Sequence, residues 1–118
     1  MQGGQRMSLE KTQYLTQLFS FYGPLLTAMQ QRYFEDYYFN DLSLAEISEN
    51  AEVSRQAVYD NLKRTTRLLE DYESKLNLNR NFLAIEQLSQ QALSLIDKQN
   101  YIETKDTIRK IRQIIEEN

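Results

Sequence analysis

From Ser8 onward, apolar residues return at helical spacing: Leu9, Leu15, Leu18, Phe19 and Tyr22 mark one face of a first amphipathic segment. Ser8 suits its N-cap, because a hydroxyl there can accept from a backbone N–H of the first turn. Gly23-Pro24 stops the segment, since proline has no amide hydrogen and clashes with the turn before it. Thr27 and Gln30 have the spacing of a capping box and open a second helix carrying Tyr33, Phe34, Tyr37 and Tyr38. Asn40-Asp41 breaks it, because short polar side chains tolerate the left-handed backbone of a helix end. Ser43 and Glu46 repeat the capping-box spacing and start a short third helix through about Ala51. Ser54 then caps a fourth, which can run through Tyr72 or beyond.

Past Tyr72 the pattern changes. Leu62, Leu69, Leu76 and Leu83 step by sevens, suggesting a helical seam that continues beyond the first domain. The polar patch NLNRN, Asn77 to Asn81, interrupts it as a kink or short loop. Phe82, Ile85, Leu88, Ala92 and Leu95 restore a stripe, Lys98-Gln99-Asn100 forms a polar joint, and Ile108, Ile111 and Ile115 share one face of a last helix. The reading is an all-α chain: a disordered leader or expression remnant at 1–7, a helix-turn-helix domain at 8–72, and a helical appendage at 73–118. The appendage is a candidate dimerisation element, because so much extra helix needs a packing surface.

Composition narrows the chemistry. Three glycines and one proline in 118 residues favour long helices. Without cysteine there are no disulfides, thiolate nucleophiles or cysteine zinc sites. Without histidine the commonest metal ligand and general base is missing. A lone internal Gly23 cannot build a phosphate-cradling loop. These absences argue against an enzyme and imply no cofactor or metal. No apolar run approaches bilayer length and no apolar signal core opens the chain, which together point to a cytoplasmic protein.

The stretch SLAEISENAEVSRQAVYDNLKR, Ser43 to Arg64, has the layout of a helix-turn-helix. Ile47 and Ala51 face inward from its first helix, Ser48 is small where the helices meet, Val53 plugs the turn, and Val58 and Leu62 anchor the second helix. Arg55, Gln56, Tyr59, Asp60 and Lys63 then share the opposite face. Arginine and glutamine can pair bidentately with guanine and adenine edges, while Lys63, Arg64 and Arg67 can hold phosphates.

Leu26 to Leu69 resembles region 4 of bacterial sigma factors, in its LT..Q opening, LS.AEIS step and VS....V turn. More closely, MSLEKT at Met7 to Thr12, DLSLAEIS and VSRQAVYDNLKRT are similar to the small YlxM-like helix-turn-helix family, over nearly the whole chain from Met7 and least after about Leu78. That family is encoded beside the signal recognition particle GTPase, so the resemblance implies a role in, or regulation of, the protein-targeting pathway, with particle components as partners. One departure is Glu52, which stands where such turns usually place glycine; a left-handed non-glycine residue costs about 1–2 kcal/mol.

Charge sets the terms of function. Gln31 to Val53 holds one basic and six acidic residues, a net of −5, whereas Ser54 to Arg67 holds four basic and one acidic, a net of +3. The whole chain is −3. The positive stretch coincides with the reader helix, and neutralised phosphates supply much of nucleic-acid affinity. The expectation is therefore a regulatory protein that contacts nucleic acid, DNA in preference to RNA, weakly or with a partner's help. The alternative is a protein-interaction adaptor that binds a targeting-pathway GTPase without touching DNA. The aromatic run RYFEDYYF, Arg32 to Phe39, reads as core rather than a base-stacking platform, because it lies off the reader helix. A homodimer built through the appendage would set two reader helices in a fixed relation.

Overall fold

The computed structural model describes residues 8–117, which form six α-helices, a 3-10 turn and no strand. The expected leader at 1–7 lies outside the described residues. The chain divides into two compact units, with the boundary between Leu76 and Asn77.

The first unit contains α1 (Leu9–Tyr22), a 3-10 turn (Gly23–Leu25), α2 (Ala28–Tyr38), α3 (Leu44–Ala51) and α4 (Arg55–Leu76). Its helix starts follow the cap residues. Ser8 Oγ accepts from the Lys11 amide at 3.1 Å. The Thr27–Gln30 box closes in both directions, at 3.1 Å and 2.9 Å. After α2, Asp41 takes φ 56°, a conformation that aspartate adopts more readily than most residues.

Leu15, Leu18, Tyr22, Leu26, Phe34 and Leu69 form one buried cluster, which ties α1 and α2 to the long α4. The Phe19 and Phe34 rings stack with centroids 4.4 Å apart, and Tyr38 lies 4.4 Å from Phe34. Burial pushes the Tyr38 phenol up to about 12, with the neighbouring Tyr37 raising it further and a hydrogen bond with Thr66 opposing. The aromatic run of α2 thus serves packing. Tyr22 Oη donates to Glu73 Oε1 at 2.6 Å, although Glu73 is only 8% exposed. A buried carboxylate is tolerated when it accepts hydrogen bonds of this kind.

The second unit is an antiparallel hairpin of α5 (Leu78–Asp97) and α6 (Tyr101–Glu117). Asn77, at φ 57°, breaks the chain ahead of α5, so the polar patch contributes a single-residue joint and the rest of it is helical. Gln99 takes φ 59°; its N–H donates to Ile96 and that of Asn100 to Leu95, the paired bonds of a left-handed helix end. Asn100 Oδ1 then accepts from the Glu103 amide at 3.2 Å and caps α6.

Three expectations are corrected here. The leucine seam does not continue: Leu62 and Leu69 are buried, but α4 ends at Leu76, and Leu76 and Leu83 are exposed. The inward face of α6 is also turned from the expected one. Thr104 and Thr107 are buried and Ile111 is half-buried, while Ile108 and Ile115 are exposed. Phe82 of the expected α5 stripe is likewise exposed, and Ala92 is buried. Small residues let the two backbones approach closely. The threonine hydroxyls are satisfied within the helix, donating to the carbonyls of Asn100 at 2.7 Å and Glu103 at 2.9 Å.

Candidate nucleic-acid interface

The segment expected to read nucleic acid is built by three local devices. Ser43 Oγ accepts from the Glu46 amide at 3.1 Å, and Glu46 Oε1 accepts from the Ser43 amide at 2.9 Å, closing the capping box that starts α3. The backbone N–H of Ser43, followed by its hydroxyl, holds the Glu46 carboxyl below its ordinary pKa. At the far end of α3, Glu52 adopts φ 58°, ψ 43°. Its N–H reaches the Glu49 carbonyl at 3.3 Å, and the Val53 N–H reaches the Ser48 carbonyl at 3.1 Å. This is the two-bond closure that a glycine usually provides, made here with glutamate. Finally, Ser54 Oγ accepts from the Ala57 amide at 3.0 Å and starts α4.

Behind the turn, Tyr33, Ile47, Val58 and Leu62 form a second buried cluster, flanked by Tyr37, Leu42, Leu44 and Ala51. Ser48 is buried at the contact, its hydroxyl donating to the Ala45 carbonyl at 2.8 Å. Val53 departs from expectation: it is 40% exposed and does not plug the turn. The backbone bonds to Ser48 and Glu49 close the turn instead, so the side chain at 53 is not needed inside.

On the opposite side of α4 the structure brings together all seven residues singled out from the sequence. Arg55, Gln56, Tyr59, Asp60, Lys63, Arg64 and Arg67 are all exposed. Among the described residues, none of the four cations is in an ion pair. Two contacts organise this face. Gln56 Nε2 donates to Asp60 Oδ1 at 2.9 Å, and the Lys63 ammonium lies 6.0 Å from the centre of the Tyr59 ring. The first has Asp60 holding the amide of Gln56, the residue expected to read a base. The four-residue spacing of amide and carboxylate carried the signal for that bond.

One limit of the face was not legible from the sequence near it. Beyond Arg67 the helix carries Glu70 and Asp71, but Glu70 is bridged at 2.8 Å by Lys11 from α1 and Asp71 at 3.1 Å by Lys75. The cationic surface thus ends at Arg67, and the acid that follows is partly compensated. Lys11 was not among the expected residues; only the tertiary fold brings it to α4.

The sequence of this whole assembly matches a family profile over residues 9–114, that of UPF0122, described as "Putative helix-turn-helix protein, YlxM / p13 like". The chain belongs to this family. A UPF0122 protein of Lactococcus lactis subsp. lactis, YofM, is 47% identical over 111 residues, covering 94% of this chain and 98% of the relative. A UPF0122 protein of Streptococcus pneumoniae (strain Hungary19A-6) is 48% identical over 97 residues, covering 82% and 88%. The family is one of helix-turn-helix proteins, and the described residues of this UPF0122 member are all-α. Among the described residues no acidic cluster is placed to hold a metal ion, and no helix is long and apolar enough to cross a membrane.

Proposed function

We propose that this UPF0122 protein is a cytoplasmic regulatory helix-turn-helix protein of the sigma-region-4 type, which contacts nucleic acid through the first turns of α4. Arg55 reads a base edge, and Gln56 does so once released from Asp60. Tyr59 supports Lys63, and Lys63, Arg64 and Arg67 grip phosphates. Asp60 tunes the contact, repelling phosphate unless it accepts from a cytosine amino group. The carrying observation is the exposed α4 face, whose cations are all outside ion pairs while its inner side is locked against α3 by Val58 and Leu62. Duplex DNA is favoured over RNA, since an exposed helix of this width fits the major groove of B-DNA but not the deep, narrow one of A-form RNA. In the targeting pathway implied by the YlxM-like resemblance, such a protein would act on genes or RNA of the signal recognition particle.

A second reading has its own support. Glu35, Asp41, Glu46, Glu49 and Glu52 are exposed around α2 and α3, a surface suited to a basic protein such as the particle's GTPase. Fluorescence anisotropy with random duplex DNA and with the particle's RNA, at several salt concentrations, separates the two. Nucleic-acid contact gives affinity that falls steeply with salt and is lost in the Arg55→Ala/Lys63→Ala variant. Both side chains are exposed, so that variant folds normally. Unchanged affinity in it removes the proposed interface, and no binding at low salt leaves the adaptor reading.

A further inference from the structure

The α5–α6 hairpin buries one stripe of each helix against the other and leaves a second apolar stripe open. On α6, Tyr101, Ile108 and Ile115 recur at sevens and are all exposed, beside the inward Thr104 and Ile111. On α5, Leu93 and Ile96 are exposed on the side of the helix adjoining the inward Ile85 and Ala92. Leu93 is 65% exposed.

The two stripes lie on the same side of the hairpin. At 100° per residue, each sits at a similar rotation, in the same sense, from the buried stripe of its own helix. Two antiparallel helices exchange places under a two-fold axis normal to the plane they share. That operation preserves rotational sense, so equal offsets emerge on one face. The opposite face carries Gln87, Gln91 and Ser94 from α5, and Asp106, Lys110 and Gln113 from α6.

Five large apolar side chains at these exposures present roughly 500 Å² per chain, towards the upper end of the ~300–600 Å² of the largest patch on a typical monomer and most of the ~800 Å² per partner of a stable interface. The flanking charges say what fits. Beyond the apolar stripe, α6 carries Lys105, Arg109 and an Arg112 bridged to Glu116 at 3.6 Å, a net excess of base, whereas α5 carries Glu86 and Asp97. A basic edge and an acidic edge on one surface complement each other when the surface meets its own copy with α5 against α6. Residues 77–118 hold six basic and six acidic residues, so two copies carry no net repulsion.

We propose that this face is the dimer interface of the protein, and that a second copy covers Leu93, Ile96, Tyr101, Ile108 and Ile115 to give a four-helix bundle. The pairing is isologous, with the same patch used by both chains. Knobs from these positions interdigitate across it, as in other bundles of paired helical hairpins. It does not depend on the nucleic-acid reading, and would hold equally for an adaptor.

Sedimentation equilibrium of the full chain over 1–100 µM tests it. The expected mass is twice the 14.0 kDa of the chain, and Leu93→Glu/Ile108→Glu returns it to one chain mass with helical circular dichroism retained. Gln91→Glu, at an exposed site on the opposite face of the hairpin, leaves the dimer intact. Charge exchange covers the case in which the double variant misfolds: Glu86→Lys/Asp97→Lys and Lys105→Glu/Arg109→Glu each lose self-association and recover it when mixed. A monomeric wild type, a dimer that survives Leu93→Glu/Ile108→Glu, or a dimer lost equally in Gln91→Glu each overturns the proposal.

Discussion

Glu52 offers a direct test of how this helix-turn-helix is closed. It holds φ 58°, ψ 43° with an exposed side chain, a conformation that costs an L-residue about 1–2 kcal/mol. Glu52→Gly removes that cost but gives back about 0.5–1 kcal/mol through the freer unfolded chain. The expected net gain is about 0.5–1 kcal/mol, which for a domain of this size raises the melting temperature by about 3–6 °C. Glu52→Ala is the control: it keeps the Cβ and hence the strain, so its stability stays within about 0.5 kcal/mol of wild type. Thermal melts and urea titrations followed by far-ultraviolet circular dichroism report both. A glycine variant no more stable than wild type, together with an alanine variant that loses about 1 kcal/mol, would refute the reasoning. It would mean that the carboxylate itself holds the turn and that backbone strain does not set the balance.

Other consequences are as direct. Asp60→Ala removes an acid from the cationic face and releases Gln56, so affinity for random duplex DNA should rise several-fold in anisotropy titrations; a fall would mean that Asp60 contributes to binding. Leu69→Ala empties a fully buried site shared by α1, α2 and α4 and should cost about 2–5 kcal/mol in urea unfolding. The raised pKa of Tyr38 means that the folded chain holds the phenol proton more tightly than the unfolded one. The associated stability is therefore present below the ordinary tyrosine value of 10.0 and is lost as pH rises towards about 12. Absorbance titration at alkaline pH should show a late-ionising tyrosine that is absent in Tyr38→Phe.

Local chemistry made much of this protein legible. Ser8, Thr27–Gln30, Ser43–Glu46 and Ser54 mark helix starts because each cap is a bond between residues three apart. The left-handed residues Asp41 and Gln99 fall within polar breaks for an equally local reason. The seven residues of the candidate interface share a face because helix periodicity and the buried Val58 and Leu62 require it. Heptad spacing, in contrast, misread the second half. Leucines seven apart align only while one helix continues, and the left-handed backbone at Asn77 ends that continuity.

Likewise, apolar periodicity marks a stripe on α6 without choosing its neighbour. In the hairpin the small Ala92, Thr104 and Thr107 occupy the contact, and the isoleucines Ile108 and Ile115 turn outward. The reach of Lys11 to Glu70 and of Tyr22 to Glu73 spans more than fifty residues. No local period encodes such pairs; they exist only once α1 is packed on α4. The sequence by itself determined where helices begin, where they break and which α4 side chains face outward, because those depend on neighbours a turn away. Tertiary structure alone decided which apolar stripes are spent on the cores and which one remains exposed, because that choice depends on how closely two backbones can approach.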